Sequence, residues 1–456
     1  MKKMKSKIYL PIEVKRRELY SRIYFSIKAS IQGHSVTIGR KSRFHEFENK
    51  IQPGNYISKS AGTQNFDHIK RLKKAGHKIF FIDEEGLMSF NKEFTHRRFS
   101  EEGLQLMDVI FTWGNNHKNE LIELYPSLKD KLKIVGNPRV DILKDISKQF
   151  YAEEIKKIKN DYGDFFLLVT KFGKINFVKR KNIIDYYTSH LTKGYLNTEK
   201  LKEICKRSIK HEEKNFVNFI NFIKLFNKSL ENKKLLILVH PTEDLKIYED
   251  IVGDMKNVDI ASGEYSSNSW ILSSDLIIQN NCTTALEAYL MGIKPIQLNF
   301  FQDKEVEYPI PHKISHIFSS NEKLISHLKD FEKENITKED YINNLNFLTS
   351  YIENVDKKNS VNLSLEYMFD DFKIKNKKFL PFLEKTLFKL KTYKRFIKNY
   401  MNDKNSMILS KNKFSGLDIE EVRVFMEKII SVENYRLEDF KLKENLPGLF
   451  TIEYLK

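Results

Sequence analysis

Five polar clusters in the 456-residue sequence each follow a short apolar run, and their residue types are those of acid–base chemistry and anion binding. After the run Lys78 to Ile82 come Asp83, Glu84, Glu85 and Gly86. Three adjacent carboxylates repel, so one of them is expected to hold its proton more tightly unless a cation sits among them, and such a group suits a general base or nucleophile. The plain alternative is a loop or helix cap. In "IVGNPRVDIL", Arg139 emerges after a Gly-Asn-Pro turn, where its planar fork can hold a phosphate or carboxylate; a structural bridge to Asp141 is the other reading. In "LLVTKFGKINF" the run ends in Lys171 and Gly173, a cation and a residue that lets backbone approach an anion. In "LLILVHPTED" the run delivers His240, a proton carrier or phosphate donor near neutral pH.

The fifth cluster, "LIIQNNCTTALEAYLMGIKPIQL", reads as strand, polar turn, helix. A helix start presents amides without intrahelical acceptors and a partial positive charge, so Asn281, Thr283 and Thr284 are candidates to hold a phosphate. Glu287, one turn on, is placed to meet ribose hydroxyls. Simple helix capping by Asn and Thr is the alternative.

These clusters need strands whose carboxyl ends share one edge. Short apolar runs alternating with amphipathic helical stretches predict parallel α/β sheets. Strands are expected at Ile8 to Ile12, Val36 to Ile38, Lys78 to Ile82, Val109 to Trp113 and Lys133 to Val135, forming one doubly wound domain over residues 1–150. Strands at Phe165 to Val169, Leu235 to Val239, Val258 to Ala261, Leu276 to Ile278 and Pro295 to Leu298 form a second over 151–330, with a linker near Lys144 to Asp161. Residues 331–456 read as a helical, basic extension. Between Lys373 and Lys404 there are 11 Lys or Arg against 2 acidic residues, interleaved with Phe, Leu, Ile and Tyr. That pattern suits a helix on an anionic membrane surface or a solvated basic helix with one face packed.

Composition, 41% hydrophobic and 30% charged, is that of a globular protein, and the net charge of +17 favours acidic partners. Cys205 and Cys282 have no metal-like spacing and imply a reducing compartment. No apolar run reaches the roughly 18 residues of a membrane span, and the basic N-terminus lacks a signal-peptide core. A cytoplasmic protein, peripheral at most on the inner face of the membrane, is expected. P-loop, GxGxxG, HExxH and a persuasive DxD are missing, so neither a metal nor another cofactor is expected.

The ordered set "IYLPIEVKRREL", "SVTIGRK", "PGNYISKS", "FIDEEGL", "FTWGNN", "VGNPRVDIL", "LVTKFGKINF", "LVHPTED" and "WILSSDLIIQNNCTTALEAYLMGIKPI" resembles the bacterial surface-carbohydrate-biosynthesis proteins. That group is similar to the retaining β-Kdo glycosyltransferases of GT-B architecture, two Rossmann-like domains facing across a cleft. The resemblance spans roughly Lys7 to Leu298 and implies transfer of Kdo or a related acidic sugar from a CMP-activated donor to a glycolipid or polysaccharide acceptor. It implies a donor site around His240, Asn281 to Thr284 and Glu287, which the residue types at Arg139, Lys171 and Gly173 extend, and an acceptor side at Glu13, Arg17 and Asp83. Glu84 or Glu85, with His240, is expected to be catalytic; Asp83, Glu212 and Glu213 are further carboxylates for a covalent route. Two departures stand out: Lys171 replaces the Asn of the family's TNF, and Leu238-Val239 replaces the Arg-Pro of its RPHP. The rival readings are a CDP-glycerol-type glycerophosphotransferase and a non-catalytic polyanion or membrane binder; nucleic acid is not an expected partner.

Overall fold

The computed structural model describes residues 6–62, 65–87, 89–96, 99–143, 147–178, 198–332, 336–356, 359–370, 372 and 404–456. The chain divides into two compact units, one of residues 1–87, 98–142 and 349–456, the other of 88–97 and 143–348. Each contains its own sheet.

Unit 1 has strands β1 (Lys7–Ile12), β2 (Ser35–Arg40), β3 (Asn55–Ser58), β4 (Lys78–Ile82), β5 (Val109–Thr112) and β6 (Leu132–Ile134). Helix α1 (Lys15–Ile31) joins β1 to β2, and α2 (Lys41–Glu46) follows β2. Unit 2 has β7 (Phe166–Val169), β8 (Leu235–Leu238), β9 (Val258–Ile260), β10 (Leu276–Gln279), β11 (Pro295–Leu298) and β12 (His316–Phe318). The last strands, β13 (Phe440–Leu446) and β14 (Leu449–Tyr454), return to unit 1. The orders are β13-β14-β2-β1-β3-β4-β5-β6 and β12-β11-β10-β7-β8-β9. All pairings among β1 to β12 are parallel.

In both sheets the first strand lies inside and the chain winds outward first one way, then the other. These are two doubly wound α/β units, the composition expected of a GT-B-type chain. Strands β7, β8, β10 and β11 are buried at every position, which is why they read as unbroken apolar runs: helices cover both faces. The core of unit 2 gathers Phe166, Leu168, Leu235, Ile237 and Ile278 with Phe219, Phe222 and Phe226 of the helix Thr198–Ser229. That of unit 1 gathers Tyr9, Phe44, Tyr56, Ile79, Phe81 and Ile110, closed by Leu446 and Leu449.

Two boundaries differ from the sequence reading. The stretch expected as a linker holds the helix Ala152–Tyr162, with Ile158 fully buried and the Glu154 carboxylate accepting from the Ser269 hydroxyl, so it belongs to unit 2. The expected helical extension is not separate and not wholly helical. Its β14 pairs antiparallel with β2, Leu449 opposite Gly39, and a Cβ on Gly39 would lie 2.3 Å from the Gly448 carbonyl oxygen. Hydrogen alone fits there. Asn55 of β3 exchanges two bonds with the Phe369 backbone, at 2.8 and 3.0 Å, fixing residues 359–370 to the same unit. The basic stretch read as a membrane-facing helix lies almost wholly outside the described residues. No helix among the described residues is long and apolar enough to cross a membrane.

Candidate functional site

In unit 2 the winding reverses between β7 and β10, and an open α/β sheet takes its ligands outside the carboxyl ends of the strands at that point. Val169 of β7 is in register with Gln279 of β10 and with Leu238 of β8. The next residues, Thr170-Lys171, Asn280-Asn281 and Val239-His240, therefore leave the sheet side by side.

Backbone and side chains knit these ends together. The buried Thr170 hydroxyl accepts from the His240 amide at 3.0 Å. Lys171 Nζ donates to the Asn281 carbonyl at 2.8 Å and lies 4.1 Å from the Tyr308 ring centroid. Asn280 Nδ2 donates to the Lys171 carbonyl at 3.1 Å. Asn281 sits at φ 56°, a conformation Asn tolerates, and exchanges two bonds with the Tyr308 backbone at 2.6 and 2.9 Å. This is why a core strand ends in two asparagines: the Asn280 amide ties the turn to the end of β7, and the Asn281 amide ties it to the loop before Pro309. The simple capping alternative is not what they do. Thr283 is the N-cap of the helix Thr284–Leu290 without a side-chain cap bond, and the Cys282 amide donates to Gln279 Oε1 at 2.6 Å.

Exposure sorts the expected donor residues. Asn281 and Thr284 are buried, Lys171, Gly173 and Glu287 half-buried, Thr283 and His240 exposed. The groups presented at this edge are thus Lys171, His240 and the helix start at Thr283. Lys171 is pushed down to about 8 by burial first and then by Lys174, with Glu212, Cys282 and Glu307 acting the other way. His240 Nδ1 receives the Thr242 amide at 3.3 Å and lies 2.7 Å from the Thr242 hydroxyl. An amide can only donate, so Nδ1 is the acceptor and Nε2 carries the proton of the neutral ring. Gly173 packs against Thr242, where a Cβ would come within 2.6 Å of Oγ1.

Beneath His240, the Glu243 carboxyl is buried between the Phe172 amide at 2.7 Å and the Tyr248 hydroxyl at 2.5 Å. Burial pushes it up to about 7, against the bonds from Tyr248, Phe172 and Thr170. A carboxyl raised on folding contributes stability that is complete below about pH 4.5 and is lost as pH rises through about 7. Urea denaturation between pH 5 and 8 should show this loss, up to about 3 kcal/mol. Glu243→Gln, neutral throughout, should flatten the profile and exceed wild type at pH 8; parallel profiles would contradict this.

In unit 1 the winding reverses between β1 and β3, and the strand ends there carry a dense charge network. Glu18, with no exposed surface, accepts from the Glu13 amide at 2.9 Å and the Val14 amide at 3.3 Å, and meets Lys59 Nζ at 2.5 Å and Arg17 at 3.3 Å. Burial opposes its ionisation but Lys59, Arg17 and Arg22 outweigh it, holding Glu18 well below the usual carboxylate range. Lys59 is shifted down by burial and Arg17 up by Glu18, Glu85 and Glu84 against its own burial. Glu13, half-buried, is lowered by Lys59, Lys41 and Lys413 against burial and Glu18.

The carboxylate run is divided by these cations. Asp83 is buried and its Oδ1 accepts from the Glu85 amide at 3.0 Å, bracing the turn. Glu84 is buried against Arg22, with Arg139 3.8 Å away. Glu85 is the exposed member. Arg139 belongs to unit 1, not to the unit of Lys171 and His240, and faces Glu84 rather than Asp141, whose carboxylate instead accepts from the Ser360 and Val361 amides at 3.2 and 3.1 Å. Sequence reasoning missed Glu18, Arg22 and Lys59. Lys59 follows β3, a strand it did not find; Glu18 and Arg22 sit one turn apart within α1, where charges read as solvated.

No protein-family model matches the chain, and no curated protein matches it. Among solved structures it is similar to the UDP-GlcNAc 2-epimerase of Methanocaldococcus jannaschii in complex with UDP-GlcNAc and UDP, at 15% identity over 75% of this chain and 99% of that one, TM-score 0.46. It is similar to the UDP-GlcNAc 2-epimerase of Neisseria meningitidis bound to UDP-GlcNAc, at 15% identity over 79% and 98%, TM-score 0.47. It is also similar to the wall teichoic acid polymerase TagF, at 12% identity over 80% and 88%, TM-score 0.49. At such values none of these assigns an activity. The fold class stands on the two strand orders.

Proposed function

We propose that the chain is a transferase of carbohydrate biosynthesis that uses a nucleotide-activated sugar, with the donor's phosphate held at the switch point of unit 2. The observation that carries this reading is the meeting of Lys171 and His240, cation and neutral donor, on adjacent strand ends beside the helix start at Thr283. Lys171 supplies charge to a phosphate and His240 Nε2 a hydrogen bond, both of which strengthen as the leaving nucleotide gains negative charge. Glu85, the exposed member of its carboxylate run, is the base or nucleophile candidate that the sequence resemblance implies. The sequence resemblance narrows the donor to CMP-Kdo or a related CMP-linked acidic sugar.

A thermal-shift panel of CMP, CDP, UDP and GDP tests this. CMP should stabilise the chain most, by roughly 2.7 kcal/mol at a hundredfold excess over Kd. A response confined to UDP or GDP would replace the donor, and one confined to CDP would favour glycerophosphate transfer. No response to any of the four, with salt-sensitive binding to polyanions instead, would remove the transferase reading.

A further inference from the structure

At the carboxyl ends of β1 and β2, unit 1 holds a cavity of about 580 Å³, walled by α2 and by the helix Lys404–Lys413. Its size falls within the roughly 300–1,000 Å³ of small-molecule sites. Three cations reach it from three elements: Arg40 ends β2, Lys41 opens α2 and Lys413 closes the later helix. Two carboxylates stand among them. Glu46 is bound by Arg43 at 2.8 Å, and Glu13 lies 3.4 Å from Lys413 and 4.0 Å from Lys41. The Arg40 guanidinium is set in place by the Ser410 hydroxyl and by the Phe414 ring, 5.4 Å away. His45 stacks on His68 with ring centroids 3.8 Å apart. Burial, His68 and Lys41 push it down to about 4, so at neutral pH it offers a donor and an acceptor without charge.

The geometry points to a binding site for a small sugar bearing a phosphate or carboxylate, its anion among Arg40, Lys41 and Lys413 and its hydroxyls against Glu13, Ser42 and His45. Ile12 and Leu409 give the cavity apolar wall for the sugar's C–H faces. Calling this ligand the acceptor rests on the proposed transferase activity; the binding itself does not. The sugar can arrive free or as the end of a longer glycan, and the charge chemistry is the same.

Calorimetric titration of the full chain with glucose 1-phosphate, glucuronate, a glucuronate-terminated oligosaccharide and glucose tests the site. The charged sugars should bind at least tenfold more tightly than glucose, and Lys41→Gln and Lys413→Gln should each weaken them about tenfold, a loss of about 1.4 kcal/mol. Ser42→Trp, which fills the cavity and keeps its charges, should abolish binding of all four. CMP affinity should be unchanged in these three variants. Tighter binding of the oligosaccharide than of glucuronate identifies a glycan end as the source, and equal binding a free sugar. Glucose binding as tightly as glucose 1-phosphate, or wild-type affinity in Lys413→Gln and Ser42→Trp, would overturn the inference. So would sugar-phosphate binding lost with Lys171→Met instead, which leaves the donor reading standing. Retained sugar-phosphate binding without any nucleotide response would do the reverse.

Discussion

Replacing Lys171 with Met is expected to weaken CMP binding roughly 10- to 100-fold at pH 7, the loss of one charge-assisted hydrogen bond to phosphate. Wild-type affinity should itself depend on pH in a way that identifies the group. Burial leaves Lys171 with a pKa of about 8 in the free protein, and a bound phosphate favours its charged form. Affinity should therefore hold below pH 8 and decline above it, while Lys171→Met shows no decline. Met keeps most of the aliphatic stem but loses the Nζ contacts with the Tyr308 ring and the Asn281 carbonyl, so urea denaturation of the variant is measured beside its affinity. A folded Lys171→Met with wild-type affinity would remove this residue from the donor site.

The second large effect separates two neighbours. Glu85→Gln should lower turnover by 10²- to 10⁴-fold, the range for loss of a general base, with stability changed by no more than about 0.5 kcal/mol, because Glu85 is exposed. Glu84→Gln should do the opposite. Its carboxylate faces the buried Arg22 guanidinium, and removing that charge leaves a buried cation, at a cost of about 3–5 kcal/mol. Activity per folded molecule should survive better in Glu84→Gln than in Glu85→Gln. Urea denaturation and initial rates on the two purified variants decide it, and equal stability with equal loss of rate would contradict the division.

The strands that position these groups were legible because parallel sheets bury both faces. Lys78–Ile82 and Pro295–Leu298 were read with the bounds they have. Strand β3 was not, since four residues beginning with Asn55 between Pro53-Gly54 and Lys59-Ser60 carry no apolar run; the Asn is wholly buried because it bonds Ser6 and Phe369. The β13-β14 hairpin left a usable signal in Pro447-Gly448 between two alternating stretches. It fell inside the stretch read as a helical, basic extension, and its outward Lys and Glu are what an edge strand carries.

The candidate site was legible in which strand ends come together more than in what each side chain contacts. Lys171 and His240 stand together as their strand ends required. Asn281 resembled a phosphate ligand and is a backbone brace. Glu84 resembled a catalytic carboxylate and is matched by Arg22, a partner 62 positions earlier that no local pattern could announce. Charge networks that pair distant residues are the part of a site that sequence conceals most.

Proton uptake on CMP binding at pH 8 tests the central claim most directly. Calorimetry in buffers of different ionisation enthalpy measures it, and the phosphomonoester, with its second pKa near 6, is already ionised at that pH. A group titrating near 8 that becomes fully charged when the phosphate binds takes up about half a proton. Wild type should show that half proton and Lys171→Met none. Zero uptake by wild type, or the same uptake by both, would contradict the placement of the nucleotide at Lys171.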